Sequence, residues 1–256
     1  MIFNLKFYFR LSSAGLIYVH YGERVIQEIL QRHKNTTLSK EDVKTIFLKL
    51  YKSLIQEIDA IDNGVPMFKD QEPLYRISSC LSSRVKTFNP NWTEEKTDEQ
   101  RDELFHKACE YVGNEFKDRL FYASLVWLPA RTIVENAIKK RLAVHSSGEI
   151  IELEKFAPWQ EFLYDLEKTH NCNIKYVLYP NGDNDYRVIC VPVVHGSFIC
   201  RKFLHKEWRG IRDEKLEDIS GLKGIKFCHE TGFIGGHNTR DGSLKMAEIS
   251  LEAEKE

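Results

Sequence analysis

Two aspartates at the end of an apolar helical pattern are the first residues of this chain that could do chemistry. Asp59 and Asp62 lie three positions apart in residues 57–64 (EIDAIDNG), which places both carboxylates on roughly one face of a helix. Carboxylate oxygens suit Mg²⁺ or Mn²⁺, and such ions serve phosphoryl transfer by polarising the phosphate and activating a water. The alternative is that Asp-Asn-Gly only ends the helix, because Asn and Gly are what a helix stop requires.

A glycine-rich stretch, residues 232–238 (GFIGGHN), follows a predicted strand and precedes a predicted helix. Glycines let backbone N–H groups approach an anion, the helix N-terminus adds positive dipole, and His237 can donate to a phosphate oxygen. Gly235, Gly236 and His237 therefore predict a glycine-histidine loop that holds phosphate. The stretch matches neither the Walker pattern nor the dinucleotide fingerprint, and such turns also occur without a ligand.

Cations cluster around Trp208. They are Arg201, Lys202, Lys206, Arg209 and Arg212. Cations beside an aromatic ring can grip a phosphate backbone while a base stacks on the ring. The competing interpretation is a solvated face with a buried Trp208 as its anchor. Arg131 is a single cation at a predicted helix start, where the macrodipole does not favour it, so a structural or ligand partner is implied.

Amphipathic helices must position the N-terminal candidates. Ser12-Ser13 starts a helix that runs to about His33, and Ser39 with Asp42 makes a capping-box start for a second. The apolar face of the second helix runs to the Asn63-Gly64 stop and consists of Val43, Ile46, Phe47, Leu50, Leu54 and Ile58.

Two further helices complete a mostly helical region of 142 residues. One is predicted near 98–121, and Pro129 suits the first residue of another that runs to about Leu142. The apolar face of the former consists of Phe105, Ala108, Cys109, Val112, Phe116 and Leu120.

The pattern changes after the Ser-Ser-Gly turn at 146–148. Residues 174–179 and 186–191 are β-branched and aromatic runs joined by a turn-rich segment, which predicts a hairpin. Residues 225–228 predict another short strand, and a final helix carries Leu244, Ala247 and Leu251. The C-terminal part is therefore α+β.

Composition limits the class of protein. The chain has 256 residues, 42% of them hydrophobic, and a net charge of -1, so we expect a globular fold whose polyanion site, if any, is local. The six cysteines show no framework spacing and predict free thiols in a reducing compartment. No apolar run approaches a spanning helix and no signal peptide is evident, so we expect a soluble intracellular protein without a membrane partner.

Six motifs in order resemble the melanocyte proliferating gene protein family, from about residue 11 to the C-terminus. They are residues 11–18 (LSSAGLIY), 59–64 (DAIDNG), 127–131 (WLPAR), 147–150 (SGEI), 208–213 (WRGIRD) and 232–237 (GFIGGH). The resemblance implies a DHH-type phosphoesterase and a 3′-to-5′ RNA exonuclease of nucleus and mitochondrion that uses Mn²⁺ or Mg²⁺ on single-stranded RNA. The fold it implies is α/β (α+β): a remnant of the catalytic domain over 1–65, a helical connector over 66–145 and an α+β substrate-binding domain over 146–256.

The resemblance also implies roles for single residues. The DAIDNG stretch is similar to the family's last metal-binding motif, in which Asp62 is favoured over Asp59 because a small turn residue follows it at a helix end. Gly235, Gly236 and His237 resemble the loop that holds the substrate phosphate or 3′ end. The resemblance also implies that three arginines act as phosphate clamps, namely Arg209, Arg212 and Arg131.

The chain also departs from the family. The Gly-Thr-His-Asn-Gly and Asp-His-His motifs are missing, and residues 1–10 (MIFNLKFYFR) stand where the second should be. We therefore expect a truncated product or incomplete gene model with impaired hydrolysis, and apolar faces left exposed on the first two helices. The rival hypothesis is a non-catalytic RNA-binding or regulatory module.

Overall fold

The computed structural model describes residues 10–68 and 70–253, and the chain divides between Leu128 and Pro129 into two compact units. This division lies inside residues 66–145, the segment that we predict to be a helical connector. Residues 1–9, and with them most of the segment that we expected to replace the Asp-His-His loop, lie outside the described residues.

The N-terminal unit is helical. Its elements are α1 (Ser13–Lys34), α2 (Lys40–Leu50), a π-helical turn (Tyr51–Ile55), α3 (Gln56–Asp62), α4 (Leu81–Lys86), α5 (Asp98–Tyr122) and a second π-helical turn (Ala123–Trp127). The predicted starts are confirmed, because the hydroxyl of Ser12 accepts the N–H of Gly15 and that of Ser39 accepts the N–H of Asp42. Gly64, at φ +66°, follows the end of α3 as predicted.

The expectation of exposed apolar faces on the first two helices is wrong. Ile26, Ile46 and Leu50 are fully buried, and Tyr18 of α1 stacks on Phe47 of α2 with ring centroids 4.5 Å apart. The faces are covered because α1 and α2 pack against each other and against α5. The exposed apolar residues of α1 lie elsewhere on the helix and are Leu16, Ile17, Tyr21 and Val25.

The predicted face of the second helix holds as far as Leu54 and then shifts by one residue. Ile55 and Asp59 are buried after that point, whereas Ile58 is only partly buried. The cause is the π-helical turn, which adds about one residue to a turn and rotates everything after it.

The predicted extent of α5 is confirmed, but only part of its predicted apolar face is buried. Leu120 is fully buried, whereas Phe105 and Cys109 near the start of the helix are exposed. The prediction that Pro129 is the first residue of a helix is wrong. Pro129 is the second residue of α6 (Leu128–Lys139), which follows the second π-helical turn without a break. Proline has no backbone N–H and cannot donate to the carbonyl of the preceding turn.

The C-terminal unit is a sheet covered by helices. After α6 and α7 (Arg141–Val144) come β1 (Ile150–Glu152), α8 (Gln160–His170), β2 (Tyr176–Pro180), β3 (Tyr186–Cys190), a 3₁₀ turn (Lys206–Trp208), α9 (Asp213–Ser220), β4 (Ile225–Cys228), β5 (Ile234–His237) and α10 (Arg240–Glu252). The strand order is β1-β2-β3-β5-β4, in which only β1 and β2 are parallel. The mixed α/β class, the predicted hairpin and the predicted strand at β4 are confirmed.

The predicted glycine-histidine loop is not a loop. Gly235 and Gly236 lie within strand β5, paired with Val188 and Arg187 of β3 on one side and with β4 on the other. α10 packs on β2, β3 and β5, and a core that includes Tyr176, Leu178 and Met246 fills the space beneath it. Among the described residues, no helix is both long and apolar enough to cross a membrane.

Candidate functional site

The two glycines of β5 are needed because large side chains cross the strand there. A Cβ at Gly235 would lie 2.6 Å from the methyl carbon of Met246, so this glycine makes room for the core. On Gly236, a Cβ would overlap the guanidinium of Arg187 and would lie 2.7 Å from the Phe227 ring. Gly236 therefore makes room for a cation on an aromatic ring.

Two cations lie close to the ring of Phe227. The guanidinium carbon of Arg187 lies 4.9 Å from the ring centre and that of Arg212 lies 5.4 Å from it. Both distances are within the range of cation–π attraction. We call the depression lined by these residues the Phe227 groove; its lining is Arg187, Arg212, Lys226, Phe227, Ile225 and Asn238, with Asp213, Glu214 and Glu217.

A carboxylate behind the groove fixes two of its cations. Asp185 lies 2.8 Å from a guanidinium nitrogen of Arg187 and 3.2 Å from the ammonium of Lys226. Burial acts to raise the pKa of Asp185, but hydrogen bonds from Asn181 and Lys226 and the charge of Arg187 outweigh it, so the pKa lies below its usual value. Asp185 is therefore ionised at neutral pH.

His237 lies beneath the surface. Its side chain is 3% exposed, its Nδ1 accepts the N–H of Thr239 at 3.0 Å, and its ring lies against Gly242 so closely that a Cβ there would overlap it. Burial lowers the pKa of His237, against hydrogen bonds that involve the backbone of Lys223 and Thr239. The neutral ring shapes the turn into α10, and the neighbouring Asn238 is the residue of this motif that faces the groove.

The basic stretch around Trp208 does not form one surface. Trp208 is 2% exposed, which confirms the interpretation as a buried anchor. Arg201 donates to both carboxylate oxygens of Glu167, at 2.6 and 2.9 Å. Arg209 donates to the carbonyl of Leu204 through two nitrogens. Of the predicted clamps in this stretch, Arg212 is the one that the structure brings to the groove.

Arg131 is not among the residues that line the Phe227 groove. It lies on the exposed side of α6, one turn from Glu135. The pKa of Glu135 is lowered mainly by the hydrogen bond from Lys139, with Arg131 as a smaller cause. Arg131 thus has a weak favourable interaction with the charge of Glu135 on its own helix.

The two aspartates of α3 differ in their exposure to solvent. Asp62 is exposed, whereas Asp59 is 0% exposed and both of its oxygens accept hydrogen bonds from protein donors. Asp59 therefore does not fit a metal ligand, since a divalent ion keeps several waters and needs open coordination positions. Within the part of the chain that the structure describes, no group of three or more His, Cys, Asp or Glu side chains is arranged to hold a metal ion.

Sequence reasoning missed Arg187 and Phe227. Arg187 is a single cation inside a β-branched run, and the one available signal was its place at an alternate, outward position of the strand. That signal could not show that strand β5, far along the chain, lies beside it.

Comparison with known proteins connects both units to one family. A family model described as MYG1_exonuc, uncharacterised protein family UPF0160, matches residues 1–251. The chain is 44% identical over 248 residues to a protein of Dictyostelium discoideum named MYG1 protein, covering 96% of this chain and 74% of the relative. It is 44% identical over 247 residues to the MYG1 exonuclease of Bos taurus and 41% identical over 245 residues to that of Homo sapiens. These matches cover 94% of this chain, and 63% and 64% of the two relatives respectively.

Proposed function

The chain belongs to the MYG1 exonuclease family, UPF0160, and we propose that it hydrolyses single-stranded RNA. In this proposal the hydrolysis of phosphodiester bonds depends on a metal and runs from the 3′ end towards the 5′ end. The names of the bovine and human relatives support a nuclease. On the family resemblance we also propose RNA processing in the nucleus and the mitochondrion as its setting.

The observation that carries the proposal is the pair of guanidinium groups on Phe227. Guanidinium groups offer planar forks of N–H donors that match phosphate oxygens, and Arg187 and Arg212 hold two such forks near one another. The Phe227 ring that both cations contact serves as a support for them. The groove is therefore suited to the sugar-phosphate backbone, which all RNA sequences share.

The acids of the groove limit how much of a strand it holds. Asp213, Glu214 and Glu217 line the side formed by α9 and would repel further phosphates. We propose that the groove binds one or two phosphates at the end of a strand. An end-binding site is what an exonuclease needs.

We propose Mn²⁺ or Mg²⁺ as the cofactor, with Asp62 as the exposed carboxylate that this chain offers to it. When bound, such an ion polarises the phosphate and lowers the pKa of a water. The described residues do not complete its coordination, so we propose that hydrolysis by this chain alone is impaired.

A second candidate function is favoured by a difference between the groove and the proposed metal site. The Phe227 groove is assembled within the described residues, whereas the metal-ligating set is not. A non-catalytic RNA-binding or regulatory module would need only the groove.

Two measurements test these proposals. Fluorescence anisotropy with a short single-stranded RNA should show binding that is lost in an Arg187→Ala, Arg212→Ala double variant and kept in Lys168→Ala, an exposed cation on α8. Cleavage of 3′- and 5′-labelled RNA with Mn²⁺ should be near background, with the bovine MYG1 exonuclease as the positive control. Equal RNA affinity of parent and double variant would exclude the groove. Cleavage at the rate of the control would refute the proposed impairment and the non-catalytic alternative.

A further inference from the structure

The buried carboxylate of Asp59 has three donors and each is a protein group. Its Oδ1 accepts the backbone N–H of Ser12 at 3.0 Å and the hydroxyl of Ser12 at 2.6 Å, and its Oδ2 accepts the hydroxyl of Tyr51 at 3.0 Å. A buried carboxylate without such donors would cost several kcal/mol. These hydrogen bonds join α3 to the start of α1.

Close approach of the two helices depends on Gly15. The three atoms nearest to a Cβ built at Gly15 all belong to the Asp59 carboxylate; that Cβ would overlap Oδ1 and would lie 2.5 Å from Oδ2. The N–H of Gly15 in turn donates to the hydroxyl of Ser12 at 3.1 Å. The first turn of α1 therefore rests directly on the carboxylate, where the positive end of the helix dipole favours an anion.

The first π-helical turn brings Tyr51 to the same carboxylate. In a regular α-helix, residues eight positions apart point about 80° apart, whereas seven positions bring them nearly into line. The extra residue of the π-helical turn makes Tyr51 and Asp59 equivalent to the closer spacing. Burial first, and then the hydrogen bond to Asp59, raise the pKa of Tyr51 well above its usual value, so its hydroxyl remains a donor.

Asn63 makes a second connection between the same segments. Its side-chain amide donates to the carbonyl of Arg10 at 3.0 Å and to the carbonyl of Asp59 at 2.8 Å. Residues 10–12 are thus tied to α3 on both sides of Asp62, whose own side chain remains exposed.

We propose that Asp59 is an internal anchor of α1 and is withheld from metal. The motifs at 11–18 and 59–64, which look like separate functional signatures, are joined into one structural unit by the buried hydrogen bonds of Asp59. Asp62 is the one of the two aspartates left for an ion. The part concerning Asp62 rests on the proposed function, whereas the anchor does not.

A double-mutant cycle tests the anchor in the full chain by urea unfolding. Gly15→Ala should raise the unfolding equilibrium constant about tenfold in the parent chain, because overpacking against Asp59 costs on the order of a tenfold factor or more. In an Asp59→Ala background the same substitution should be neutral or stabilising, since the space is vacated and alanine favours a helix. Equal effects of Gly15→Ala in both backgrounds would overturn the proposal.

Conservative variants keep the test decisive if Asp59→Ala does not fold. Asp59→Asn should lower the melting temperature by about 5 °C or more, because it loses hydrogen bonds to a charged group. The matched control Asp62→Asn should leave the melting temperature unchanged. Similar losses for the two variants would contradict the anchor.

Electron paramagnetic resonance of free Mn²⁺ supplies the metal measurement. At a temperature at which all the proteins are folded, Asp59→Asn should take up as much Mn²⁺ as the parent chain, whereas Asp62→Asn should take up less. Loss of Mn²⁺ uptake in Asp59→Asn would make Asp59 a ligand and overturn the proposal. These results do not depend on RNA binding, so failure of the proposed function and failure of the anchor are distinguishable.

Discussion

The guanidinium carbon of Arg187 lies 4.9 Å from the centre of the Phe227 ring, on two strands that are not neighbours in the sheet. Strand β5 separates them, and the cation reaches the ring across the bare backbone of Gly236. The three residues therefore depend on one another, which makes the groove sensitive to changes at each of them.

Replacement of the glycine should disable the groove without touching a cation. Gly236→Ala places a methyl group in the space of the Arg187 guanidinium and 2.7 Å from the Phe227 ring, so we expect weaker RNA binding and a loss of about 1–3 kcal/mol of unfolding free energy. Gly113→Ala on α5 is the control, because nothing lies within 4 Å of its Cβ. Anisotropy and urea unfolding measure the two effects, and unchanged RNA affinity in Gly236→Ala would contradict the described geometry.

We expect each arginine of the groove to contribute to RNA binding through its paired N–H donors as well as through its charge. We expect Arg212→Ala to weaken RNA binding by about 1.5–3 kcal/mol, the range of hydrogen bonds to charged groups. Arg212→Lys should recover only part of this loss, because an ammonium cannot make the bidentate contact. Anisotropy titrations of the three proteins decide the matter; full recovery by lysine would show that charge alone is recognised.

Salt should weaken RNA binding only modestly. Two phosphate contacts predict a slope of about -1.4 for the logarithm of the binding constant against that of salt concentration, at about -0.7 per contact with a single strand. Arg187→Ala should reduce the slope by about one contact, whereas Arg131→Ala should leave it unchanged. A slope of several units would mean that RNA follows a longer basic path than the groove provides.

His237 should make stability depend on pH. Its pKa is lowered in the folded chain, so the unfolded chain binds the proton more readily. The stabilising contribution is therefore complete above the unfolded pKa of about 6.5 and is lost as the pH falls below it, through the folded value. Urea unfolding at pH 7.5, 6.0 and 5.0 should show a smaller loss of stability at low pH in His237→Gln than in the parent chain.

The exposed His195 provides the comparison for this effect. His195→Gln is the matched variant, because the side chain of His195 is exposed in the folded chain. If the two variants lose stability in parallel as the pH falls, the buried ring is not the cause.

The helix starts, the hairpin and the mixed α/β class can be predicted from residue order. These features depend on contacts between near neighbours: Ser12 accepts from Gly15, Ser39 accepts from Asp42, and the two strands of the hairpin follow each other in the chain. Hydrogen bonds over three residues and alternating burial leave a direct trace in residue order. Asp62 could be predicted as a carboxylate at a helix end for the same reason, because that pattern also involves only near neighbours in the sequence.

Tertiary structure alone decided which predicted site residues meet. It placed Gly235 and Gly236 in a strand, because β3 and β4 supply hydrogen-bonding partners from distant parts of the chain. It selected Arg212 and the unpredicted Arg187 for the groove. It also buried Asp59 instead of Ile58, since a single extra residue in a π-helical turn rotates the face of the helix and the stability of that turn comes from packing, which residue order does not record.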